Sequence, residues 1–395
     1  MTAPIVNDPK TEHLLEWVAR NGGKINKIAP WEFEDTGRGM VATEPIKPRE
    51  VLISLPSSLL LNIRTLQSRY GQHLKQHSLT AHQLLALHLY VEHSMGPEST
   101  LRPYINALPL VEDFAGAPLC WEEEWRKYLS SAAQMLSDKQ LQNFEKDYSA
   151  IQSFLEAYPD VCLPPSRTNL VYWWLCVNTR CLYAKVSNTS EADNMTLAPV
   201  VDFLNHSLEP HVEIKLTPSS FQVISTRSYQ PGEQVFLSYG QHPNSFLQVE
   251  YGFAVPGNPY NEVRIDDEVL ALLGKEQKDW LDREGYFGDY TISQHGPSFR
   301  VLVALRLSRI SPTQLAPGTP ELRRLKLYMD GISEGEADAS VVKDSLKRIM
   351  EEVEAKAIMT LEFCGDKETV AANVLSRDTQ DTLAVLTSLR DTNGP

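Results

Sequence analysis

Residues 201–211 read VDFLNHSLEPH, an apolar run that halts at Asn205 and His206 and then meets Glu209-Pro210. A side-chain amide beside an imidazole at the end of a buried strand has three readings: a metal ligand, a proton acceptor, or a polar cluster that ties chain segments together. A metal needs more ligands, and near His206 the histidines His211 and His242 bring no Cys, Asp or Glu at a recognised ligand spacing. A hydrolase triad needs a nucleophile, and the chain has neither G-x-S-x-G nor a cysteine in a nucleophile-like setting. The structural reading of the pair gains accordingly.

Arg180 invites different chemistry. The segment NLVYWWLCVNTRCLYAKV (169–186) is apolar enough for a buried helix, and on it Trp173, Val177, Arg180 and Ala184 share one stripe. Tryptophan and valine mark that stripe as the buried face, so the guanidinium points inward and needs an anion. An acidic side chain and a ligand carboxylate both satisfy it, and the sequence leaves the two open.

Two aromatic-glycine clusters follow. FLSYG (236–240) sets Tyr239 beside Gly240 at a strand end, and VEYGFAV (249–255) sets Tyr251 and Phe253 around Gly252. A lone tyrosine in such a place is ordinarily a packed ring with its hydroxyl satisfied. Two clusters beside an Asn-His pair are harder to assign to packing. Upstream, GRGMVA (37–42) fits the dinucleotide pattern G-x-G-x-x-A, which works only between a buried strand and the start of a helix. Pro45 and Pro48 forbid that helix. What survives is a turn at Gly37 and Gly39 whose backbone can approach a ligand closely, or a plain surface turn.

The elements that must position these residues are legible in outline. Helical spacing marks TEHLLEWVARN (11–21), SLTAHQLLALHLYVEHSMG (78–96), 121–157 and 169–186, while strand-like pieces and turns mark 24–62 and 197–240. Beyond Asn261 the pattern is helical to the end, with a proline-rich break at SPTQLAPGTPE (311–321). A β-rich segment split by about 130 residues of helix is a discontinuous α+β layout. EPIKPREVLISLP (44–56) and RSYQPGEQVFLSYG (227–240) look alike, as two strand-turn-strand units rather than a repeat.

With 395 residues the chain exceeds one compact core and predicts two or three domains. Its formal net charge of −14 argues against a nucleic-acid backbone as main ligand and permits a cationic protein segment. Five cysteines, scattered and without CxxC or CxC, suit neither a disulfide framework nor a zinc site. No apolar run approaches a membrane span, and the N-terminal MTAPIVNDPKTEH lacks the apolar centre of a secretory signal, so an intracellular protein is expected.

Taken in order, GRGMVATEPIKPRE, NTR, DFLNHS, PGEQVFLSYG and EYGF, with a helical insert after the first, resemble the SET-domain protein methyltransferases. More narrowly, the chain is similar to the branch typified by the Rubisco large-subunit lysine methyltransferase. The likeness rests on motifs over residues 24–255 and on helical character alone from 262 onward. It implies an α+β fold: a SET domain over 24–255, made of small curved β-sheets with a pseudoknot and a helical insert near 63–195, then an all-α C-terminal substrate-binding domain over 262–395.

The same resemblance implies S-adenosylmethionine as cofactor, with the backbone around Gly37, Gly39 and Met40 against its methionine part and Arg180 at its carboxylate. Asp202 opens the motif in which Asn205 and His206 lie against the cofactor, where the chain threads as a pseudoknot. Tyr251 and Phe253 wall the pocket, and Tyr239 is the catalytic tyrosine. The expected partner is a protein presenting a lysine, with no nucleic acid, no membrane and no metal, acted on by a monomer in the cytoplasm or nucleus. Histidine methylation, or a SET scaffold that binds without transferring, are the alternatives. The chain departs from the common pattern twice: NHSLEPH replaces NHSCxPN, leaving His211 without a role, and only Cys364 follows where others carry a zinc-binding cysteine cluster.

Overall fold

The computed structural model describes residues 8–185, 189–217 and 219–392. It divides into two compact units, Met1–Phe114 with Gln140–Gln241, and Ala115–Lys139 with His242–Pro395.

The first unit holds strands β1 (Lys24–Ile25), β2 (Ile28–Phe33), β3 (Gly37–Ala42), β4 (Val51–Pro56), β5 (Leu182–Tyr183), β6 (Met195–Thr196), β7 (Asn205–His206), β8 (Val212–Leu216), β9 (Ser220–Ser225) and β10 (Gln234–Leu237). They form three small sheets, ordered β1-β4-β9-β8, β2-β3-β10-β7 and β5-β6. Leu52, Ile53 and Leu55 of β4 and Phe221 and Val223 of β9 are buried, which fixes the register of the first sheet. In the second, β10 runs antiparallel to β3 and parallel to β7, pairing Phe236 with Asn205 and Leu237 with His206. A parallel neighbour needs a crossover connection, here made by the β8–β9 hairpin. The two look-alike segments meet: Ile46 and Tyr229 exchange backbone hydrogen bonds of 3.0 Å each.

Helices of this unit start where their caps are. Asp8 accepts from the amides of Lys10 and Thr11 ahead of Pro9–Arg20; Thr80 and Gln83 form a capping box ahead of Ala81–Ser94; Ser166 accepts from Asn169 ahead of Arg167–Arg180. The helix read over 169–186 stops at Arg180, because Leu182 and Tyr183 pair with Thr196 and Met195 as β5 and β6. Ala184 is therefore off the helical stripe, and Val186 lies outside the described residues. The VDFLNH run is not one strand either: Val201–Phe203 is a single 3-10 turn, entered through Val200 at φ 72°, and only Asn205–His206 pairs. A left-handed conformation in a buried β-branched residue is strained, and it is held at the threshold of the Asn-His pair.

The second unit is mainly helical, with Asn244–Tyr251, Lys275–Arg283, Phe299–Leu307, Pro320–Met329, Ala339–Cys364 and Val370–Thr392 as its longer helices. A small meander interrupts the helical pattern read beyond Asn261: β11 (Glu262–Arg264), β12 (Thr291–Ser293) and β13 (Gly296–Pro297). Its strands are too short to show a period in sequence, and the tight β12–β13 turn depends on Gly296 at φ 122°. Ile292 of this sheet joins Ile265, Leu281, Tyr290, Val301, Leu305 and Ile349 in the main core; a second core gathers Trp121, Leu129, Val249, Cys364 and Leu375. The proline-rich break at 311–321 is partly ordered as a 3-10 turn, Pro312–Leu315, capped reciprocally by Ser311 and Gln314.

Gly116 is tightly constrained in this unit, since a Cβ there would lie 2.0 Å from the Gly252 carbonyl oxygen. Gly116→Ala is expected to cost about 2 kcal/mol through overpacking, read as a lower Tm. Asp378 is 6 % exposed, and burial, reinforced by the neighbouring Asp381, pushes its carboxyl up to about 6. A folded-state value above the unfolded one means that the folded protein holds the proton more tightly, so stability falls as pH rises between about 4 and 6 and is flat above that window. Asp378→Asn is expected to add up to about 3 kcal/mol at pH 7 and almost nothing at pH 4, as read by chemical denaturation at the two pH values.

Candidate active site

Asn205 and His206 work through hydrogen bonds to backbone. The Asn205 amide donates to the carbonyls of Arg38 (3.2 Å) and Thr36 (3.4 Å), tying β7 to the glycine segment around β3. His206 accepts the Tyr239 backbone N–H at Nδ1 (3.0 Å), with its ring 5.1 Å from the Tyr239 ring. Tyr239 donates its hydroxyl to the Leu204 carbonyl (2.9 Å), so this side chain is held at both ends by the segment 204–206. Tyr239 is half-buried as a residue, and burial of its hydroxyl pushes the pKa up to about 12. It is a neutral phenol across the physiological range, with its proton directed at the Leu204 carbonyl.

A second cluster centres on Asp202, whose side chain is 1 % exposed. Arg180, the last helical residue, donates from Nη1 to the Asp202 backbone carbonyl (2.8 Å) and stands 3.7 Å from its Oδ2. Tyr104 donates to the same Oδ2 (3.2 Å). Arg38 donates to the Ala107 carbonyl (2.7 Å) and lies 4.0 Å above the Phe203 ring; burial and the Arg180 guanidinium push its pKa down. Burial pushes Asp202 up, against the pull of the two guanidiniums. The anion that the Arg180 stripe required is thus partly supplied by Asp202. Two buried atoms remain without a hydrogen-bond partner among the described residues, Arg180 Nε and Asp202 Oδ1. A free donor and a free acceptor on paired opposite charges suit a zwitterion.

The glycines border both clusters. Gly37 turns the β2–β3 hairpin at φ 65°. A Cβ on Gly39 would lie 2.6 Å from Gln234 Nε2 and 2.7 Å from Asn205 Nδ2, so a side chain there would displace both amides. Met40 is fully buried. Tyr251 and Phe253 belong to the second unit, where their rings lie 6.0 Å apart beside Phe246, itself stacked on His242 at 4.0 Å.

His211 has a structural place. Its carbonyl accepts from the Thr226 amide and the Tyr229 hydroxyl (3.1 Å each), and its ring sits edge-on to Phe236 at 5.6 Å, with Arg227 3.4 Å from Nε2. Burial, followed by Arg227, pushes its pKa down, so it is neutral at physiological pH. Burial also pushes the Cys176 thiol up to about 12, which removes it as a nucleophile. Among the described residues no group of His, Cys, Asp and Glu could hold a metal ion. Sequence reasoning did not single out Arg38 or Tyr104. Arg38 sits between the two glycines and could have been noticed; nothing around Tyr104 distinguishes it from a core aromatic.

Comparison with known proteins places this geometry. The SET domain family matches residues 37–240, and the Ribosomal lysine N-methyltransferase 2 C-terminal domain family matches residues 261–389. The chain is 31% identical to Ribosomal lysine N-methyltransferase set11 of Schizosaccharomyces pombe, over 91% of each chain. It is 25% identical to Ribosomal lysine N-methyltransferase 2 of Saccharomyces cerevisiae, over 93% of this chain and 94% of the other. The structure of Rubisco LSMT bound to AdoMet aligns with a TM-score of 0.67 at 17% identity, covering 98% of this chain and 92% of that one, a likeness of fold. No helix among the described residues is long and apolar enough to cross a membrane. The chain belongs to the SET-domain family, and it is an S-adenosylmethionine-dependent protein-lysine methyltransferase.

Proposed function

We propose that this enzyme methylates the side-chain nitrogen of a lysine in a ribosomal protein, with residues 24–255, including the insert near 63–195, as the catalytic part and 262–395 as the part that holds the protein substrate. The observation that carries the reading is the anchoring of Tyr239 from both ends by 204–206, which sets a neutral phenol oxygen in one orientation. The ribosomal assignment is supported by the match of 261–389 and by the names of the two relatives.

Bound S-adenosylmethionine supplies a methyl group on a cationic sulfur. Arg180 Nε and Asp202 Oδ1, both buried and without a hydrogen-bond partner among the described residues, fit the carboxylate and ammonium of its amino-acid end. The backbone at Gly37, Gly39 and Met40, with Asn205 and His206, borders that end. Tyr239 is the catalytic residue. A lysine presented as a neutral amine at pH 7 costs about 4.6 kcal/mol from its ordinary pKa. The burial that pushes the Tyr239 hydroxyl up also disfavours an ammonium beside it, and the proton leaves to solvent. His206 need not act as the base, because its Nδ1 is engaged by the Tyr239 amide. The Tyr239 oxygen orients the amine and accepts the polarised methyl C–H, so alignment supplies most of the gain.

Incubation with labelled S-adenosylmethionine and either purified ribosomal proteins or a ribosome-depleted extract tests the reading. Label on a lysine of a ribosomal protein is expected; label confined to the depleted extract would overturn the ribosomal assignment.

A further inference from the structure

Ser130, Glu268, Lys356, Thr360, Asp378 and Thr382 line one cavity of about 110 Å³, partly open and wholly within the second unit. That is several times the room one water needs, and it suits the end of a long side chain. The cations at its walls are already paired. Lys356 engages Glu268 Oε1 at 2.5 Å, and Arg264 is held by Asp266 and Asp289. The carboxylates are not fully answered. Glu268, its side chain 4 % exposed, has its Oε2 buried with no hydrogen-bond partner among the described residues. Asp378 has the Ser130 hydroxyl but no cationic side chain within 4.0 Å among the described residues, whereas the neighbouring Asp381 accepts from the amides of Asn244, Asn261 and Gly257. The threonine protons are committed elsewhere: Thr360 donates to the Lys356 carbonyl (3.1 Å), Thr379 to that of Leu375 (2.7 Å) and Thr382 to that of Asp378 (3.1 Å).

What the lining leaves over is chiefly acceptor capacity, on two carboxylates and three hydroxyl oxygens. Charge points the same way: Glu262, Glu268 and Asp378 line the cavity with Arg264 and Lys356, and the adjoining Asp266, Asp289 and Asp381 add only acid. A buried carboxylate without a cation costs stability, and a cost of that kind is characteristic of a functional site. No group of His, Cys, Asp and Glu among the described residues could hold a metal ion, so the matching ligand is an organic cation with several N–H donors. We propose that the cavity takes a lysine or arginine side chain of the protein substrate other than the one methylated, its cation meeting Asp378, Glu268 and the threonine oxygens. The proposal rests on the reading of 262–395 as the part that holds the protein substrate.

The test uses Nα-acetyl-arginine amide and Nα-acetyl-lysine amide as probes, with Nα-acetyl-citrulline amide, close to the arginine probe in shape but uncharged, as control. Each is titrated against the full chain by ligand-observed NMR. The arginine or the lysine probe is expected to bind at least about ten-fold more tightly than the control, and Asp378→Asn and Glu268→Gln each to weaken that binding about ten-fold or more. Asp378→Asn is expected to gain stability at neutral pH, so a Tm recorded alongside separates its lost binding from unfolding. In methyl transfer to the protein substrate the same variant should raise KM about ten-fold and hold kcat at saturating substrate, as loss of uniform binding requires. A control that binds as tightly as both charged probes, or charged-probe binding that survives both substitutions, would overturn the proposal. Probe binding lost in both variants with KM unchanged would assign the cavity to a free organic cation and overturn its place in substrate recognition. The titration contains no methyl transfer and no ribosomal protein, so its failure is separable from failure of the lysine or the ribosomal reading.

Discussion

Tyr239→Phe is expected to lower kcat by about 100-fold or more, while affinity for S-adenosylmethionine stays nearly unchanged, because it removes one oriented oxygen and leaves the ring and the backbone anchor in place. The Tyr239 amide still reaches His206 Nδ1, and the bond to the Leu204 carbonyl is lost. The prediction separates alignment from binding: single-turnover kinetics report the first and calorimetry the second. Equal losses in both would mean that Tyr239 holds the cofactor site together and does not serve the reaction. A pH profile adds a second check. Burial keeps the hydroxyl near 12, so any rise in kcat up to about pH 9 belongs to the incoming lysine and not to a phenolate.

Arg180→Met should be the most damaging change to stability, since it leaves the buried Asp202 carboxylate with Arg38 as its cation and the Tyr104 hydroxyl as its donor; a loss of about 3 kcal/mol is expected. The pH dependence has a definite sign. Burial already raises the Asp202 pKa and Arg180 opposes that rise, so removing Arg180 raises it further. A carboxyl with a folded-state pKa above its unfolded value loses stability as pH rises through that window, so the penalty is full at neutral pH and shrinks on acidification. Chemical denaturation at mildly acidic and neutral pH measures it. Adding Asp202→Asn should restore much of the stability but not the cofactor affinity, which distinguishes a structural ion pair from a ligand contact.

The features legible in sequence were those carried by residue type at a fixed interval. The Trp173-Val177-Arg180 stripe predicted an inward guanidinium because helical period and side-chain chemistry agreed. Asn205 and His206 stood out by polarity against an apolar run, and the bonds to Arg38, Thr36 and Tyr239 give that contrast its cause. Features set by tertiary pairing were not legible. The helix stops at Arg180 because β5 finds β6 across a loop, which no local period records. The meander β11-β12-β13 has strands of two or three residues. Tyr104 reaches Asp202 across 98 residues of sequence, and nothing near Tyr104 announces it. His211 departs from the NHSCxPN pattern, yet its place between Phe236 and Tyr229 depends on a turn that sequence spacing does not specify.

Peptide-level mass spectrometry of ribosomal proteins after incubation with the enzyme and S-adenosylmethionine tests lysine methylation through Tyr239 most directly. A methyl group on a lysine side-chain nitrogen with the wild-type chain, and its near absence with Tyr239→Phe at saturating cofactor, is the predicted result. A methyl group on a histidine ring, or equal modification by the wild type and Tyr239→Phe, would contradict it.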